Sequence, residues 1–372
     1  MRIALIVPGG VDRSGERRVM PFLLWTIERL SADAEIHVFA LHQEPQPGEW
    51  PLLGATVHNA GKQPVLARTI AAMMAEHRKR PFDVVHAFWA SGPGVAGAIF
   101  KRLTGTPLVL TLPGGDLCAF REIGYGGLLT LSGRLRVNLA MAAADCVIAP
   151  CDGMMAQARR HGADPVLVGF GVALDRWRIR PPRRRHPGSA VRLVHVADLN
   201  RIKDQPCLLH AMAMLKARGP AFHLHQVGED TLGGSIQRLA MDLGLASEIT
   251  FHGHQRRERL RKIVETSDIL VMSSRHETGP LVALEAAAVG VPTVGTAVGQ
   301  IADWAPEAAL AVPVGDSAAL ADAVERLAGD EQLRLRLARA AQDRVIAHDA
   351  DAFVAQLRSI YEGLQPMNAI AR

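Results

Sequence analysis

The residues of this chain best suited to chemistry are two glutamates, Glu277 and Glu285. They lie in Ser274-Arg275-His276-Glu277-Thr278-Gly279-Pro280-Leu281-Val282-Ala283-Leu284-Glu285-Ala286-Ala287-Ala288-Val289-Gly290-Val291-Pro292. The punctuation predicts one helix: Pro280 suits its first position, Gly290 its C-terminal stop, and Pro292 lies just beyond. Between those marks Glu285 is the only polar side chain. A helix that is apolar on all sides is buried, and a buried carboxylate is costly unless paired or hydrogen-bonded. The free N–H groups at the helix start, together with its dipole, make a site for phosphate. Thr278 and Gly279 form the approach to that end, and Glu277 stands just before it. One carboxylate ahead of an anion site and another inside the helix suit a sugar nucleotide, with its diphosphate in the middle and hydroxyl donors on both sides. The plainer alternative is a surface Glu277 and a Glu285 paired with an arginine elsewhere.

Such a site needs a scaffold, and short β-rich runs alternating with helical patterns supply an α/β one with parallel sheets. In the first half the expected strands are Arg2–Val7, Glu35–Ala40, Asp83–Ala87, Pro107–Leu112 and Cys146–Ala149. Helical patterns such as Val19–Leu30, Val65–Arg80 and Val95–Thr104 lie between them. After a Pro/Arg-rich stretch the pattern restarts with Arg192–Ala197, His223–Val227, Glu248–Phe251, Ile269–Met272 and Thr293–Thr296. Helices are expected over Ala319–Leu327, Glu331–Arg339 and Phe353–Leu364. The reading is two Rossmann-like, doubly wound domains facing across a cleft, because ligands bind beyond the carboxyl ends of such strands. The expected division is an acceptor-side domain over 1–170, a linker over 171–190, and a nucleotide-sugar domain over 191–345. A C-terminal segment, 346–372, should carry a helix that packs back on the first domain.

At 372 residues, with 48% hydrophobic and 21% charged residues, the chain has the composition of a two-domain globular protein. Its net charge of +5 comes with few aromatic residues. That argues against nucleic acid and for anionic small molecules or a lipid surface. Much of the excess charge falls in Arg176–Arg185, read as a solvated linker. Cys118, Cys146, Cys151 and Cys207 form no metal-binding spacing and fit a reducing cytoplasm. No signal peptide or membrane span is evident. A cytoplasmic protein is expected, with membrane contact, if any, peripheral at the inner face.

With these residues in view, the chain resembles the family 4 glycosyltransferases of the GT-B fold. The E-x7-E segment running into Gly290-Val291-Pro292-Thr293-Val294-Gly295-Thr296 carries the resemblance. It is joined in order by Asp83-Val84-Val85-His86, Gly171-Val172, Lys203, Val227-Gly228-Glu229 and Ser267-Asp268-Ile269. The resemblance implies that Glu285 accepts hydrogen bonds from ribose hydroxyls. It also implies that Glu277 faces the donor sugar, with the backbone of Thr278, Gly279, Pro280 and Leu281 along sugar and diphosphate. Lys203 would neutralise the leaving diphosphate, and Gly15 would let backbone approach the phosphate. His254 sits where the nucleotide base is expected. The family generally retains anomeric configuration without a metal, and no cofactor is expected beyond the nucleotide-sugar co-substrate. No general base is evident, so the leaving phosphate itself is expected to take the acceptor proton on the same face of the sugar.

Two positions depart from the family pattern. Pro113 replaces the usual histidine of its H-G element, leaving Asp116 as the nearby candidate for a catalytic role. Asp198 replaces the arginine of R-x4-K, and Arg201 is the candidate stand-in, sharing a side with Lys203 if the loop is extended. The literal G-x-G-x-x-G at Gly92–Gly97 copies a dinucleotide fingerprint, but it follows a late strand and is read as shaping the acceptor side. The pairs His223/His225 and His252/His254 lack a carboxylate or cysteine beside them and are read as structural. Arg13, Arg17 and Arg18 flank the first glycine loop and could meet solvent, an anionic acceptor or lipid. The sequence therefore points to a retaining, metal-independent hexosyltransferase using a UDP-sugar, ahead of GDP- or ADP-sugars, and an unidentified glycan, lipid-linked or small-molecule acceptor. The rivals are a sugar-nucleotide epimerase or hydrolase of the same fold, and a non-catalytic nucleotide-sugar-binding protein.

Overall fold

Runs such as Arg-Ile-Ala-Leu-Ile-Val at residues 2–7, apolar at nearly every position, become strands buried along their whole length, as a parallel sheet covered on both faces requires. In the computed structural model, which describes residues 1–186 and 188–365, these strands form two sheets. Pro187 of the expected linker and positions 366–372 of the C-terminal segment lie outside the described residues. The described residues divide into unit 1, built from Met1–Phe170 and residues 350–365, and unit 2, within Gly171–Asp349.

Unit 1 runs β1 (Arg2–Val7), α1 (Pro21–Leu30), β2 (Glu35–Ala40), β3 (Gly48–Leu52), β4 (Ala55–Asn59), α2 (Val65–Lys79) and β5 (Val84–Phe88). It continues with α3 (Gly92–Thr104), β6 (Leu108–Thr111), α4 (Leu131–Ala143), β7 (Cys146–Ala149), α5 (Asp152–Arg160) and β8 (Pro165–Leu167). Its sheet has the order β3-β4-β2-β1-β5-β6-β7-β8, parallel throughout except for β3, which pairs antiparallel with β4. That hairpin was not expected from sequence. Pro51 sits in β3, and β3 is an edge strand, where proline is tolerated.

Unit 2 runs β9 (Val191–Val196), α6 (Gln205–Arg218), β10 (Phe222–Val227), α7 (Ser235–Asp242), β11 (Ile249–Phe251), α8 (Arg257–Thr266) and β12 (Ile269–Met272). It continues with α9 (Leu281–Ala288), β13 (Thr293–Thr296), α10 (Gln300–Trp304), β14 (Ala309–Val312), α11 (Ser317–Gly329) and α12 (Glu331–Ala347). The order β11-β10-β9-β12-β13-β14 is that of a Rossmann sheet. Its core joins Leu193, Leu209, Leu224, Ile269, Val271 and Val294.

The last helix, α13 (Ala350–Gly363), belongs to unit 1 and packs on α1. Phe353 meets Trp25 edge to face at 5.3 Å. Tyr361 reaches the sheet, its hydroxyl 2.6 Å from Nδ1 of His86, whose Nε2 is 2.7 Å from Thr111 Oγ1. Burial drives the His86 imidazole down to about 3, so it is neutral. The histidine of the D-V-V-H element is thus a fastener between sheet and helix.

The Arg176–Arg185 run, expected to be solvated, is so only in part: Arg178, Arg180 and Arg184 are exposed, while Arg183 and Arg185 are pinned within unit 2. Arg183 Nη2 donates to Asp268 Oδ1 at 2.7 Å, and Arg185 Nη1 donates to Ala328 O at 2.7 Å. Burial of Asp268, which is 2% exposed, is what recruits them.

Candidate active site

In unit 2 the strands β9 and β12 are neighbours, yet the chain departs from them toward opposite edges of the sheet. Ligands bind beyond the carboxyl ends of strands at such a switch point. The loop after β9 carries Lys203, and the loop after β12 carries Glu277.

Backbone and side-chain bonds lace the two loops together. Arg275 N–H donates to Ile202 O at 2.8 Å, and Ser273 Oγ donates to Lys203 O at 2.8 Å. Arg275 Nε donates to Asp204 Oδ2 at 2.9 Å. Asp204, left-handed at φ 48°, also caps α6 by accepting from Cys207 N–H. The lacing sets the Lys203 ammonium 2.5 Å from Glu277 Oε1, and that same oxygen accepts from Ser274 Oγ at 2.6 Å. Both side chains keep some surface, 25% for Lys203 and 12% for Glu277, so a ligand can reach them.

Beneath this pair lies a residue the sequence did not single out. His195, on β9 and 1% exposed, donates from Nδ1 to Val271 O of β12 at 2.8 Å. Desolvation holds its ring near 4, so it is a neutral bolt between the two site-bearing strands. A histidine inside an apolar strand was the only signal, and it does not distinguish core from site.

Helix α9 begins at Leu281, one position later than expected. Pro280, at φ −68° and ψ 106°, is its cap residue. Thr278 is buried, and its carbonyl accepts from Gln300 N–H at 2.8 Å, which fixes the turn ahead of the helix. Glu285 is of intermediate exposure, yet its carboxyl is closely surrounded. Desolvation therefore pushes it up to about 7, against a hydrogen bond from Trp177 and the attraction of Arg257.

The remaining positions fall as follows. Lys203 N–H donates to Asn200 O at 3.1 Å, so residues 200–203 close a turn rather than extend. The geometric premise for pairing Arg201 with Lys203 therefore fails. Arg201 is exposed and makes no hydrogen bond or ion pair among the described residues. Asp198 Oδ1 accepts from Glu229 N–H at 2.8 Å, tying the loop after β9 to the end of β10. His254 is exposed between β11 and α8. His225 Nδ1 lies 3.0 Å from His252 Nε2, and no cluster of three metal-binding side chains occurs among the described residues.

Gly15 and Asp116 belong to unit 1. Gly15 closes a turn after β1, its N–H donating to Asp12 O at 3.0 Å, with φ 65°. Arg13 and Arg18 beside it are held by Glu44 at 3.0 Å and Asp12 at 2.6 Å. The glycine run at Gly92–Gly97 forms the first turns of α3, where a Cβ at Gly94 would meet Ala140 of α4 at 2.7 Å. A Cβ at Gly97 would meet Leu108 of β6, and one at Gly92 would meet Leu41, each at 2.7 Å, so these glycines serve close packing within unit 1. Asp116 is 3% exposed; its Oδ1 accepts from Ala90 N–H at 3.0 Å, while Oδ2 has no hydrogen-bond partner. Desolvation pushes it up to about 7, opposed by the amides of Ala90 and Ser91.

That raised value has a measurable consequence. A carboxyl whose folded value lies above the ordinary one favours the fold when protonated, so its contribution is full below about 4 and is lost as pH rises through about 7. Asp116→Asn should therefore gain stability relative to the parent as pH is raised from about 4 to about 7, at a rate approaching about 1.4 kcal/mol per pH unit. The gain should appear as diverging curves of melting temperature against pH. Parallel curves would show that Asp116 ionises normally.

The sequence matches the family Glycosyl transferases group 1 over residues 176–344 and the Glycosyl transferase 4-like domain over residues 21–169. It is 28% identical to D-inositol 3-phosphate glycosyltransferase of Pseudarthrobacter chlorophenolicus, over 91% of this chain and 87% of that one. Its fold is similar to sucrose-phosphate synthase of Thermosynechococcus elongatus, with a TM-score of 0.83 and 21% identity over 98% of both chains. It is also similar to Anabaena Alr3699/HepE in complex with UDP-glucose, with a TM-score of 0.75 and 18% identity over 98% of this chain and 100% of that one. No helix among the described residues is long and apolar enough to cross a membrane.

Proposed function

The chain belongs to the family 4 glycosyltransferases and has the GT-B fold, and on that premise we propose that it moves a sugar from a UDP-sugar to an acceptor hydroxyl with retention of configuration. The observation that carries this reading is the Lys203 ammonium 2.5 Å from Glu277, at the carboxyl ends of the two switch-point strands and ahead of α9. Lys203 and the N–H groups opening α9 take the diphosphate. Glu277 faces the sugar, flanked by the backbone from Thr278 to Leu281. Glu285 accepts the ribose hydroxyls, and His254 stands on the base side. The complexes of Anabaena HepE with UDP and UDP-glucose support a uridine donor.

Breaking the glycosidic bond leaves positive charge on the sugar and adds negative charge to the diphosphate. Fixed positive groups at that diphosphate stabilise the transition state more than the bound donor. The leaving phosphate oxygen takes the acceptor proton on the face it departs from, and the acceptor oxygen bonds to the same face.

Melting-temperature shifts with a panel of nucleotide sugars, followed by mass spectrometry with mixed acceptors, test the reading. D-inositol 3-phosphate, which the curated relatives are named for, belongs in that pool. Nucleotide release that depends on an acceptor supports transfer. Conversion without an acceptor indicates epimerisation or hydrolysis, and binding without turnover indicates a donor-binding protein.

Glu285→Gln isolates the ribose contact. Loss of hydrogen bonds to a charged acceptor should weaken UDP binding by about 1.5–3 kcal/mol, read by calorimetry at about pH 8. Because the Glu285 carboxyl is held up to about 7, the parent's affinity should fall as pH drops through about 7, while that of the glutamine variant stays flat. Unchanged affinity in a folded variant would remove Glu285 from the site.

A further inference from the structure

Helix α4 of unit 1, Leu-Ser-Gly-Arg-Leu-Arg-Val-Asn-Leu-Ala-Met-Ala-Ala, is apolar on two opposite faces. Val137, Ala140 and Met141 are buried against the body of the unit. Leu131, Leu135 and Leu139 recur every four residues and are 73%, 62% and 51% exposed. At about 100° per residue these leucines span a stripe about 80° wide whose centre points opposite to the buried face. Arg134 and Arg136 lie about 100° to either side of that centre, both exposed. The helix contains no acidic residue.

We propose that this face of α4 is a docking surface for an anionic lipid bilayer, with the three leucines entering the acyl boundary and the two arginines meeting phosphate headgroups. An apolar stripe flanked by basic residues and lying parallel to the surface is the form such a contact takes. The charge pattern decides the occupant. In a two-fold pairing of two copies the same patch meets itself, so four arginines would flank one seam with no carboxylate on either helix to answer them. A bilayer bearing anionic headgroups supplies the opposite charge, attracts each arginine near its surface, and also suits a chain of net charge +5. The inference concerns unit 1 and stands apart from the reading of the donor site in unit 2.

Co-sedimentation of the full chain with phosphatidylcholine vesicles, with and without phosphatidylglycerol, tests it. The parent should bind the anionic vesicles, and binding should weaken as salt is raised. The combined variant Leu131→Ser/Leu135→Ser/Leu139→Ser should lose about tenfold or more in partitioning, since each buried methylene removed weakens insertion. Arg134→Gln/Arg136→Gln should lose the preference for anionic over neutral vesicles. All the substituted side chains are exposed, so circular dichroism and UDP binding should match the parent. No binding to anionic vesicles overturns the proposal, as does binding that the leucine variant leaves intact. A parent that sediments as a dimer and becomes monomeric in the leucine variant also overturns it, assigning the face to a second copy.

Discussion

Lys203→Ala should lower turnover by about 10²–10³, the usual worth of one fixed group that stabilises charge developing in a transition state. Donor affinity should change far less, because the diphosphate is already bound before its charge grows. The structure adds a complication that sharpens the test. Lys203 and Glu277 are bonded to each other at 2.5 Å, so either truncation strands a charge that is partly enclosed. A double-mutant cycle with Glu277→Gln should therefore be strongly non-additive. If the pair were only a brace between two loops, the double variant would recover the parent's turnover along with its stability. If Lys203 or Glu277 acts on the donor, stability recovers and turnover does not, and the single Glu277→Gln variant shows how much of that loss belongs to Glu277. On the proposed reading, in which Lys203 and the start of α9 supply the positive field, turnover should also persist in excess chelator. Activity that vanishes with chelator and returns with Mg²⁺ or Mn²⁺ would instead assign that field to a metal.

What could be read from the sequence was local. The strands β1, β2, β7, β12 and β13 follow from short apolar runs. Helix α9 is marked by Pro280 and Gly290, and Glu285 stands out because its neighbours are all apolar. Side-chain bonds between segments far apart in the chain could not be read. Nothing at Lys203 indicates that its ammonium rests on a carboxylate 74 positions away. The loop between Asp198 and Asp204 misled for a different reason. Alternation would put Arg201 and Lys203 on one side of an extended chain, but Lys203 N–H donates to both the carbonyl and the side-chain Oδ1 of Asn200 and closes a turn, the signal for which was Asn200 itself. The antiparallel β3 was obscured by Pro51, which reads as a strand breaker until the strand is known to lie at an edge. The arginine run misled most, because its residues look hydrated until the buried carboxylate they serve is located.

That carboxylate gives the second large effect. Asp268 stands at the start of β12, in front of the strand that leads to Glu277, and is 2% exposed. Oδ1 accepts from Arg183 Nη2 at 2.7 Å, and Oδ2 accepts from Arg192 N–H at 2.8 Å. Arg185 and Arg192 hold their Nε atoms 3.8 Å from Oδ2. Arg334, 1% exposed on α12, donates to Arg183 O at 2.5 Å and to Glu331 Oε2 at 2.9 Å, closing the cluster from the other side. Asp268→Ala removes the carboxylate on which Arg183, Arg185 and Arg192 converge, leaving Glu331 to Arg334. Breaking a fully buried ion pair costs about 3–5 kcal/mol, and the exposure of Arg183 and Arg192, 38% and 43%, sets that as the upper bound. Urea unfolding followed through a unit 2 probe, such as Trp304, should show that loss as a lower midpoint. The loss should not be confined to stability. Arg183 lies in the run that also carries Trp177, the hydrogen-bond donor to Glu285, so loosening the run should weaken UDP binding along with the fold. Asp268→Asn separates the two contributions. It can keep the acceptor for the Arg192 amide while removing the charge, so its loss should fall between the parent and the alanine variant. An alanine variant as stable as the parent would mean that the arginines simply turn out to solvent, as the sequence alone suggested.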